Sequence, residues 1–322
     1  MKAKADNEFY LREPIGLSVE LNLEDKLNWR FHNKSGNVRK ETLSSKYLNQ
    51  IISFLNSTAS IKYLVLTGRE PFEFQKLTNL LEIAKRRGIS VSVDTNVNFL
   101  FPKLFTYDFN RINQIRLKLL SLYSKKHDYW IGEKGHYKKI NAFLSFLERR
   151  KNISKVIIFP IFKFNYEEIE KVTKFASGNK MYCNLFPYPY FACKKSYRLN
   201  KNLFWRIMNK IQKLKKKYPT TVITDSPIAG VKYKKLCGQY PFLKIMMHID
   251  VNGNLRICKY ANFIIGSLDK LSLDKLWLQQ QKFFNSQLSN KCKQCKDLSI
   301  CGGGCFGNKQ FLSQPDYYCI HR

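Results

Sequence analysis

Residues 292–305 read Cys-Lys-Gln-Cys-Lys-Asp-Leu-Ser-Ile-Cys-Gly-Gly-Gly-Cys, and this stretch decides how the end of the chain folds. Its four cysteines follow the pattern Cys-x2-Cys-x5-Cys-x3-Cys. A Cys-x2-Cys pair on a tight turn brings two thiolates to one metal ion or cluster edge. The glycines at 302–304 let the backbone fold closely around sulfur, because they carry no Cβ atom. The stretch therefore predicts a metal centre.

Three more cysteines extend this array in both directions. The full set is Cys237, Cys258, Cys292, Cys295, Cys301, Cys305 and Cys319. Residues 250–253 (Asp-Val-Asn-Gly) predict a hairpin turn that would hold Cys258 at a strand end. Seven thiolates are more than the four that one tetrahedral site can bind. The array therefore implies two sites. Two iron–sulfur clusters, two zinc ions, or one zinc ion with a spare triad of thiolates would each fit.

The placement of the cysteines favours metal over disulfides. The chain has nine cysteines, and none precedes Cys183. No apolar segment typical of a signal peptide follows Met1, and no run approaches the ~18 apolar residues of a membrane-spanning helix. We therefore expect a cytoplasmic protein, in which crowded cysteines indicate metal binding. Cys183 and Cys193 lie outside the array and are predicted to be ordinary thiols.

From about residue 14 to residue 220, short apolar strands alternate with amphipathic helices. The pattern predicts strands at residues 17–23, 61–66, 89–93, 115–120 and 156–160. It predicts helices at residues 43–55, at 74–87, in a segment that ends near 150, and at 204–217. This order argues for an α/β fold whose parallel sheet has helical crossovers and is open or closed as a barrel.

After residue 220 the character of the sequence changes. Strand-like and turn-like pieces at 245–257 precede a short helix at 273–284 and a tail rich in Cys and Gly. We therefore place a domain boundary between residues 220 and 236. The length of 322 residues allows a full core, and an apolar content of 44% excludes a mostly disordered chain.

The formal net charge is +32, and it comes from Lys more than from Arg. Such a charge suggests nucleic acid as a partner. No basic tail or RNA-reading motif accompanies it, so nucleic acid stays possible but is not favoured. An acidic protein or peptide fits the charge equally well. We interpret the lysines of the basic helix at 204–217 as a solvated face.

The cysteine array resembles the SPASM domain, the C-terminal cluster domain of many radical SAM enzymes that modify peptides. Cys237-x15-Gly253-x4-Cys258 and the five later cysteines meet every spacing of that family. The resemblance implies two 4Fe-4S clusters and favours them over zinc. One would be held by Cys292, Cys295, Cys301 and Cys319. The other would be held by Cys237, Cys258 and Cys305, with a fourth ligand that varies among members.

The first two-thirds of the chain resembles the radical SAM partial barrel. Residues 68–71 (Gly-Arg-Glu-Pro) follow the second strand, where the family has Gly-Gly-Glu-Pro, which receives the methionine amino group of SAM. Residues 95–97 (Thr-Asn-Val) match the family's Thr-Asn-Gly, with Val97 in place of glycine. His127-Asp128 and Gly132-x2-Gly135 match a segment that SPASM-type members place after the fourth strand.

That resemblance implies a partial (β/α)6 TIM-like barrel over residues 1–220, followed by a small Cys-rich SPASM domain over residues 221–322. It also gives Gly68, Glu70 and Asn96 as vestigial SAM-site positions.

One departure from the family concerns the loop after the first strand. Radical SAM enzymes carry Cys-x3-Cys-x2-Cys there, and three thiolates leave one iron free to chelate SAM. Here Asp25, Trp29 and His32 stand about where those cysteines should be. Trp cannot ligate iron, and one Asp with one His cannot replace three thiolates. Arg69 also puts a bulky cation where the family's backbone approaches SAM. We therefore expect a pseudo-radical-SAM protein that does not use SAM as a cofactor.

The resemblance implies a non-catalytic partner in the maturation of a ribosomally made peptide. Such a protein would bind the precursor peptide, a genuine radical SAM enzyme, or both, and its clusters would serve as scaffold or electron relay. Two alternatives stay open. One is an enzyme with other redox or Lewis-acid chemistry at an open iron of the Cys237/Cys258/Cys305 cluster. The other is an RNA-binding relic, whose retention on heparin or tRNA would collapse at moderate salt.

Overall fold

The computed structural model describes residues 11–23, 27–31, 41–99, 107–233, 236, 245–286 and 288–321. Within these residues one mixed sheet runs through the molecule. Its first strands are β1 (Gly16–Glu20), β2 (Tyr63–Thr67), β3 (Ser90–Thr95), β4 (Gln114–Lys118), β5 (Ser154–Ile161), β6 (Tyr182–Pro187) and β7 (Val222–Ile223). Its last strands are β8 (Met246–Ile249), β9 (Asn254–Cys258) and β10 (Ala261–Ser267).

Strands β1 to β7 pair with one another in chain order, and every pair is parallel. Parallel neighbours need a long crossover, and helices supply most of these connections. They are α1 (Ser45–Ser57), α2 (Leu77–Arg86), α3 (Ser124–Ile131), α4 (His136–Glu148), α5 (Ile169–Gly178) and α6 (Lys201–Lys217). The α/β fold class with a partial (β/α)6 TIM-like barrel is thereby confirmed.

The helices follow their sequence signals. Ser44 caps α1 by accepting a hydrogen bond from the Tyr47 backbone N–H at 3.3 Å, and Asn200 caps α6 in the same way. Helix α6 buries an apolar stripe that runs from Phe204 to Leu214. Its last turn carries three lysines, which complement the negative end of the helix dipole.

Sequence patterns missed β6, α3 and α5. Strand β6 (Tyr-Cys-Asn-Leu-Phe-Pro) neither alternates nor forms an apolar run, because Asn184 is buried within it. Helix α3 begins with Ser-Lys-Lys and is apolar only at its end, so it has no full amphipathic stripe. The predicted helix at 74–87 begins instead at Leu77, because Pro71–Glu73 forms a separate 3-10 turn.

The C-terminal strands continue the same sheet. Strand β8 pairs in parallel with β1, and β9 and β10 follow as an antiparallel hairpin. The turn between β8 and β9 forms as predicted, since the Asp250 carboxylate accepts the backbone N–H groups of Asn252 at 3.0 Å and Asn254 at 2.9 Å. The sheet therefore runs across the expected boundary at 220–236, and the division into residues 1–220 and 221–322 stays a prediction.

Short helices complete the C-terminal part. They are α7 (Ala229–Lys232), α8 (Leu273–Ser286), α9 (Asn290–Lys293) and α10 (Leu298–Cys301). None of the helices in the described part of the chain is both long and apolar enough to cross a membrane.

Two buried apolar groups hold the structure together. The larger packs between the sheet and the helices. The smaller follows the carboxyl ends of β1, β4, β5 and β6, and we name it the aromatic cluster. Its members are Leu27, Trp29, Phe31, Leu120, Trp130, Ile131, Phe162, Tyr188 and Cys193.

Gly132 ties helix α3 to the loop after β1. Its φ is +81°, and an added Cβ would lie 2.3 Å from the Asn28 carbonyl oxygen. We predict that Gly132→Ala lowers the free energy of unfolding by about 3 kcal/mol, from backbone strain plus a clash with rigid main chain. Chemical denaturation should show only about 1 kcal/mol for Gly135→Ala, whose φ is +83° but whose Cβ position is open. Equal losses in the two variants would contradict the contact with Asn28.

Candidate metal centre

Four cysteines of the C-terminal segment line a single cavity: Cys292, Cys295, Cys301 and Cys319. Cys292 and Cys301 are buried, and the other two are half-buried. Ile228 and Val231 close the apolar side of the cavity. Four thiols that face one cavity are the donor set of a tetrahedral metal ion or of an iron–sulfur cluster, so the residues present fit such a group.

Short capped helices place these thiols. Ser289 caps α9 and accepts the Cys292 backbone N–H at 3.1 Å, and the Cys295 N–H then donates to the Cys292 carbonyl at 3.1 Å. Helix α10 ends at Cys301 because Gly302 adopts a left-handed conformation, with φ +56°. The backbone thus turns sharply on either side of the cavity.

Cys258 and Cys305 form a second group. Cys258 ends β9, and Cys305 precedes the 3-10 helix Phe306–Asn308. Burial raises the pKa of the Cys305 thiol, and the nearby Cys258 raises it further. The third thiol expected here, Cys237, lies outside the described residues. The structure therefore brings together two of the three predicted ligands of this site.

Three further thiols of the two groups have perturbed acidity. Burial raises the pKa of Cys258, Cys301 and Cys319 above the usual thiol value. Such thiols hold their protons at neutral pH and lose them when a metal ion replaces the proton.

Asp316 is a buried carboxylate that organises the segment around Cys305. It accepts the backbone N–H groups of Cys305 at 2.7 Å and Tyr318 at 2.8 Å, and the Asn308 amide at 3.3 Å. A Cβ added at Gly304 would lie 2.4 Å from the Asp316 Cβ, which explains a glycine there. Burial raises the pKa of Asp316, while these donors lower it.

A different set of potential ligands overlaps the four-cysteine cavity. Ligand atoms of Cys295, Asp297 and His321 all lie within 4.8 Å of one another. His321 Nε2 and an Asp297 carboxylate oxygen are 2.7 Å apart. Sulfur, imidazole and carboxylate together are a donor set that suits zinc.

Cys183 and Cys193 belong to neither cysteine group and have apolar surroundings. Cys183 sits in β6 within the main core, and Cys193 belongs to the aromatic cluster. Burial raises the pKa of each thiol to about 12. Both are therefore protonated and unreactive at neutral pH.

The positions predicted to be vestigial SAM-site residues, Gly68, Glu70 and Asn96, lie in a closed hydrogen-bond network. The Glu70 carboxylate is buried and accepts the Thr95 hydroxyl at 2.9 Å. It also accepts the backbone N–H groups of Asn98 at 3.0 Å, Asn96 at 3.2 Å and Phe72 at 3.4 Å. Glu70 thus joins the loops that follow β2 and β3, and its oxygens are already engaged.

The backbone around this network is equally constrained. Asn22 accepts the N–H groups of Arg69 and Glu70, and an added Cβ at Gly68 would lie 2.7 Å from the Asn22 carbonyl oxygen. The Asn96 amide donates to the Arg69 carbonyl. Val97 has φ +60°, a left-handed backbone conformation that glycine adopts easily. A β-branched residue is strained in this conformation.

Residues 127–136, which follow β4 and include His127-Asp128 and Gly132-x2-Gly135, form buried contacts that stabilise the fold. His127 and His136 are fully buried, with 3.0 Å between His127 Nε2 and His136 Nδ1. Burial lowers the pKa of His127 to about 3 and lowers that of His136, so both rings are neutral. Asp128 accepts the N–H groups of Gly135 and Tyr137 at the start of α4.

The loop after β1 inserts aromatic rings between the strand ends. Phe31 packs on Phe162 with 4.5 Å between ring centroids and on Tyr188 with 5.6 Å. Trp29 contacts Phe31 at 5.3 Å, and the Lys118 ammonium lies 4.6 Å from the Trp29 ring centroid. Asp25 and His32, also expected at cysteine positions, lie outside the described residues. Apolar rings therefore fill the place where active sites sit in parallel barrels.

Beside the aromatic cluster lies a buried charge network. Asp94 pairs with Arg116 at 3.3 Å and with Lys259 at 2.9 Å. Burial opposes ionisation of Asp94, but the two cations hold its pKa at about 2. Lys259 follows Cys258 directly, so this network ties the second cysteine group to the barrel.

Three crystal structures of SuiB from Streptococcus suis share the architecture of this chain. SuiB itself aligns with a TM-score of 0.73 and 19% identity, over 96% of this chain and 78% of that one. SuiB bound to S-adenosylmethionine gives 0.71 and 18%, over 97% and 78%. SuiB bound to precursor peptide SuiA gives 0.71 and 17%, over 95% and 76%. This chain has the SuiB fold. No protein-family model matches the sequence, and no curated protein matches it.

Sequence reasoning missed several residues that the SuiB-like fold brings to the cysteine groups. They are Asp316, Lys309, Lys259 and His321. Asp316 and Lys309 are charged residues in the Gly- and Cys-rich tail, and their burial had no signal in the local pattern. Lys259 adjoins a predicted ligand, which was the one available hint.

Glu70 gives a pH-dependent test of the loop network. Its pKa is raised from 4.5 to about 7 by burial, so the folded chain binds more protons than the unfolded chain between those values. Its contribution to stability is present below pH 4.5 and is lost as pH rises through 7, by about 3 kcal/mol. We predict that the unfolding free energy of the wild type, minus that of Glu70→Gln, falls by this amount between pH 4 and pH 8.

The control is Glu148→Gln, which changes an exposed glutamate on α4. Its difference from the wild type should stay constant over the same range. A constant difference for Glu70→Gln as well would show that Glu70 ionises as freely in the folded chain as in the unfolded one.

Proposed function

We propose that this chain is a pseudo-radical-SAM iron–sulfur protein that acts as a non-catalytic partner in the maturation of a ribosomally made peptide. The observation that carries the proposal is the aromatic cluster. Its apolar rings fill the space at the carboxyl ends of the barrel strands. Trp29 and Phe31 come from the loop after β1, where a SAM-cleaving protein needs three thiolates. No cysteine precedes Cys183, which lies in β6, so none of the loops between β1 and β6 can supply those thiolates.

Two cluster sites support the iron–sulfur part of the proposal. One 4Fe-4S cluster would be held by Cys292, Cys295, Cys301 and Cys319, which line one cavity. A second would be held by Cys258 and Cys305 with Cys237. When bound, such clusters supply one-electron transfer and cross-link the segment that holds them. The chain's own contribution is to keep the thiols buried and the Cys305 backbone fixed through Asp316.

The partner part of the proposal rests on fold and charge. SuiB, which has this fold, has been crystallised with a precursor peptide. This chain carries a formal charge of +32, which attracts acidic peptide segments. A peptide-binding role survives the loss of SAM chemistry, because binding surfaces do not depend on the cluster loop. The companion would be a genuine radical SAM enzyme, its precursor peptide, or both.

Zinc is the second candidate for the metal, because Cys295, Asp297 and His321 converge beside the four-cysteine cavity. Anaerobic reconstitution decides between the metals. We predict a brown protein with broad absorbance at roughly 400 nm and about eight iron atoms per chain. A colourless protein that takes up zinc and refuses iron would reject the clusters.

Variants assign each cluster. Cys292→Ala and Cys305→Ala should each lose about half of the iron and lower the unfolding temperature, because metal binding is coupled to the folding of this segment. Cys183→Ala is the control and should keep its iron. Loss of iron in Cys193→Ala would identify Cys193 as the missing fourth ligand.

The lost activity is tested separately. With dithionite and SAM, the isolated protein should form no 5′-deoxyadenosine above the buffer background, because the aromatic cluster occupies the place of the SAM-cleaving cluster. Adding a radical SAM enzyme encoded beside this chain, with its precursor peptide, should give modified peptide that depends on the cysteines of that enzyme. Steady 5′-deoxyadenosine from the isolated chain, abolished by Glu70→Ala, would overturn the proposal.

A further inference from the structure

Lys309 is a cation buried in the cysteine-rich segment. Its side chain is 3% exposed, and its Nζ has no hydrogen-bond partner among the described residues. Its ammonium group lies over the Phe306 ring, whose centroid is 4.5 Å away. An ammonium group removed from water and left without a hydrogen-bonded anion is unfavourable. The site around Nζ therefore requires negative charge.

The surroundings of Lys309 show where that charge would come from. Cys292 has the largest favourable influence on the ammonium, followed by Asp316, Cys305 and Cys301. Asp316 is already occupied by three donors, as described above. A thiol that binds metal does so as the thiolate anion. Cys292 and Cys301 belong to the four-cysteine cavity, and Cys305 belongs to the second group.

The backbone leaves room for the ammonium group on the side of the cavity. Gly303 lines that cavity, and a Cβ placed on Gly303 would lie 3.6 Å from Lys309 Nζ. Nζ thus approaches the glycine turn that connects Cys301 to Cys305. No side chain of residues 302–304 stands between the ammonium and the space that a cluster would fill.

We propose that Lys309 is the buried countercharge shared by the two cluster sites, and that it tunes their reduction potentials; this rests on the proposed function. A thiolate-ligated cluster is anionic, and reduction adds one more negative charge. A fixed cation inside the protein stabilises the reduced form more than the oxidised form and so raises the potential. Lys309 is a positioning residue in this scheme, because it acts on the cluster and on no substrate.

The test compares three substitutions of Lys309 with one control variant, each in the full, anaerobically reconstituted chain. Lys309→Met and Lys309→Gln remove the charge, and Lys309→Arg keeps it. Lys293→Met removes an exposed charge next to Cys292 and is the matched control. The readout is a redox titration followed by electron paramagnetic resonance, with dithionite as the reductant and iron content measured on each sample.

At a fixed potential, Lys309→Met and Lys309→Gln should lower the reduced-to-oxidised ratio at least tenfold, which corresponds to about 59 mV for one electron. Lys309→Arg and Lys293→Met should stay within about threefold of the wild type, because the first keeps the charge and water screens the second. In the metal-free chain, Lys309→Met should unfold at a temperature no lower than the wild type, because it removes an uncompensated charge.

The outcomes separate the two proposals. A wild type with two clusters whose potentials do not change in either neutral variant overturns the role of Lys309 and leaves the cluster sites intact. Loss of iron and stability in both neutral variants, with the remaining cluster at the wild-type potential, makes Lys309 structural and also overturns its role. A wild type that takes up no iron overturns the proposed function, and the role of Lys309 with it.

Discussion

Strand β1 is hydrogen-bonded along both edges, to β2 on one side and to β8 on the other. This double pairing makes the first strand the link between the barrel and the cysteine-rich end of the chain. The hairpin that carries Cys258 continues from β8, and the loop that carries Trp29 and Phe31 follows β1. A chain without this central strand would lose the template on which both the aromatic cluster and the second cysteine group are built.

The loops that carry the predicted SAM-site positions have side chains that serve the fold. The Glu70 carboxylate accepts hydrogen bonds from four residues, Asn22 fixes the turn at Gly68, and Val97 holds a left-handed backbone despite its β-branched side chain. Each feature stabilises the connection between strand ends. Their presence alone therefore does not argue for activity.

Features that follow from a local sequence pattern could be predicted from the sequence. Contacts between residues that lie far apart in the chain could not. The alternation of strands and helices predicted the α/β class. The spacing of the cysteines predicted the four that line one cavity. Strand β6 was missed because buried Asn184 interrupts its apolar pattern. The aromatic cluster was missed because Phe31, Phe162 and Tyr188 lie far apart in the chain and meet only when the parallel strands align. Lys309 resembled any other lysine until its burial was visible.

The proposed metal would account for the energetics of the cysteine-rich segment. Helices α9 and α10 are single turns, which are too short to be stable alone. The segment also buries two charged side chains, Asp316 and Lys309, of which the second lacks a hydrogen-bond partner among the described residues. A bound metal would stabilise the single-turn helices, because it cross-links them through sulfur. It would also convert neutral thiols into the anions that the buried ammonium group needs. Retaining Lys309 in a segment without metal would only destabilise the fold, so the lysine and the cysteines argue for the same occupant.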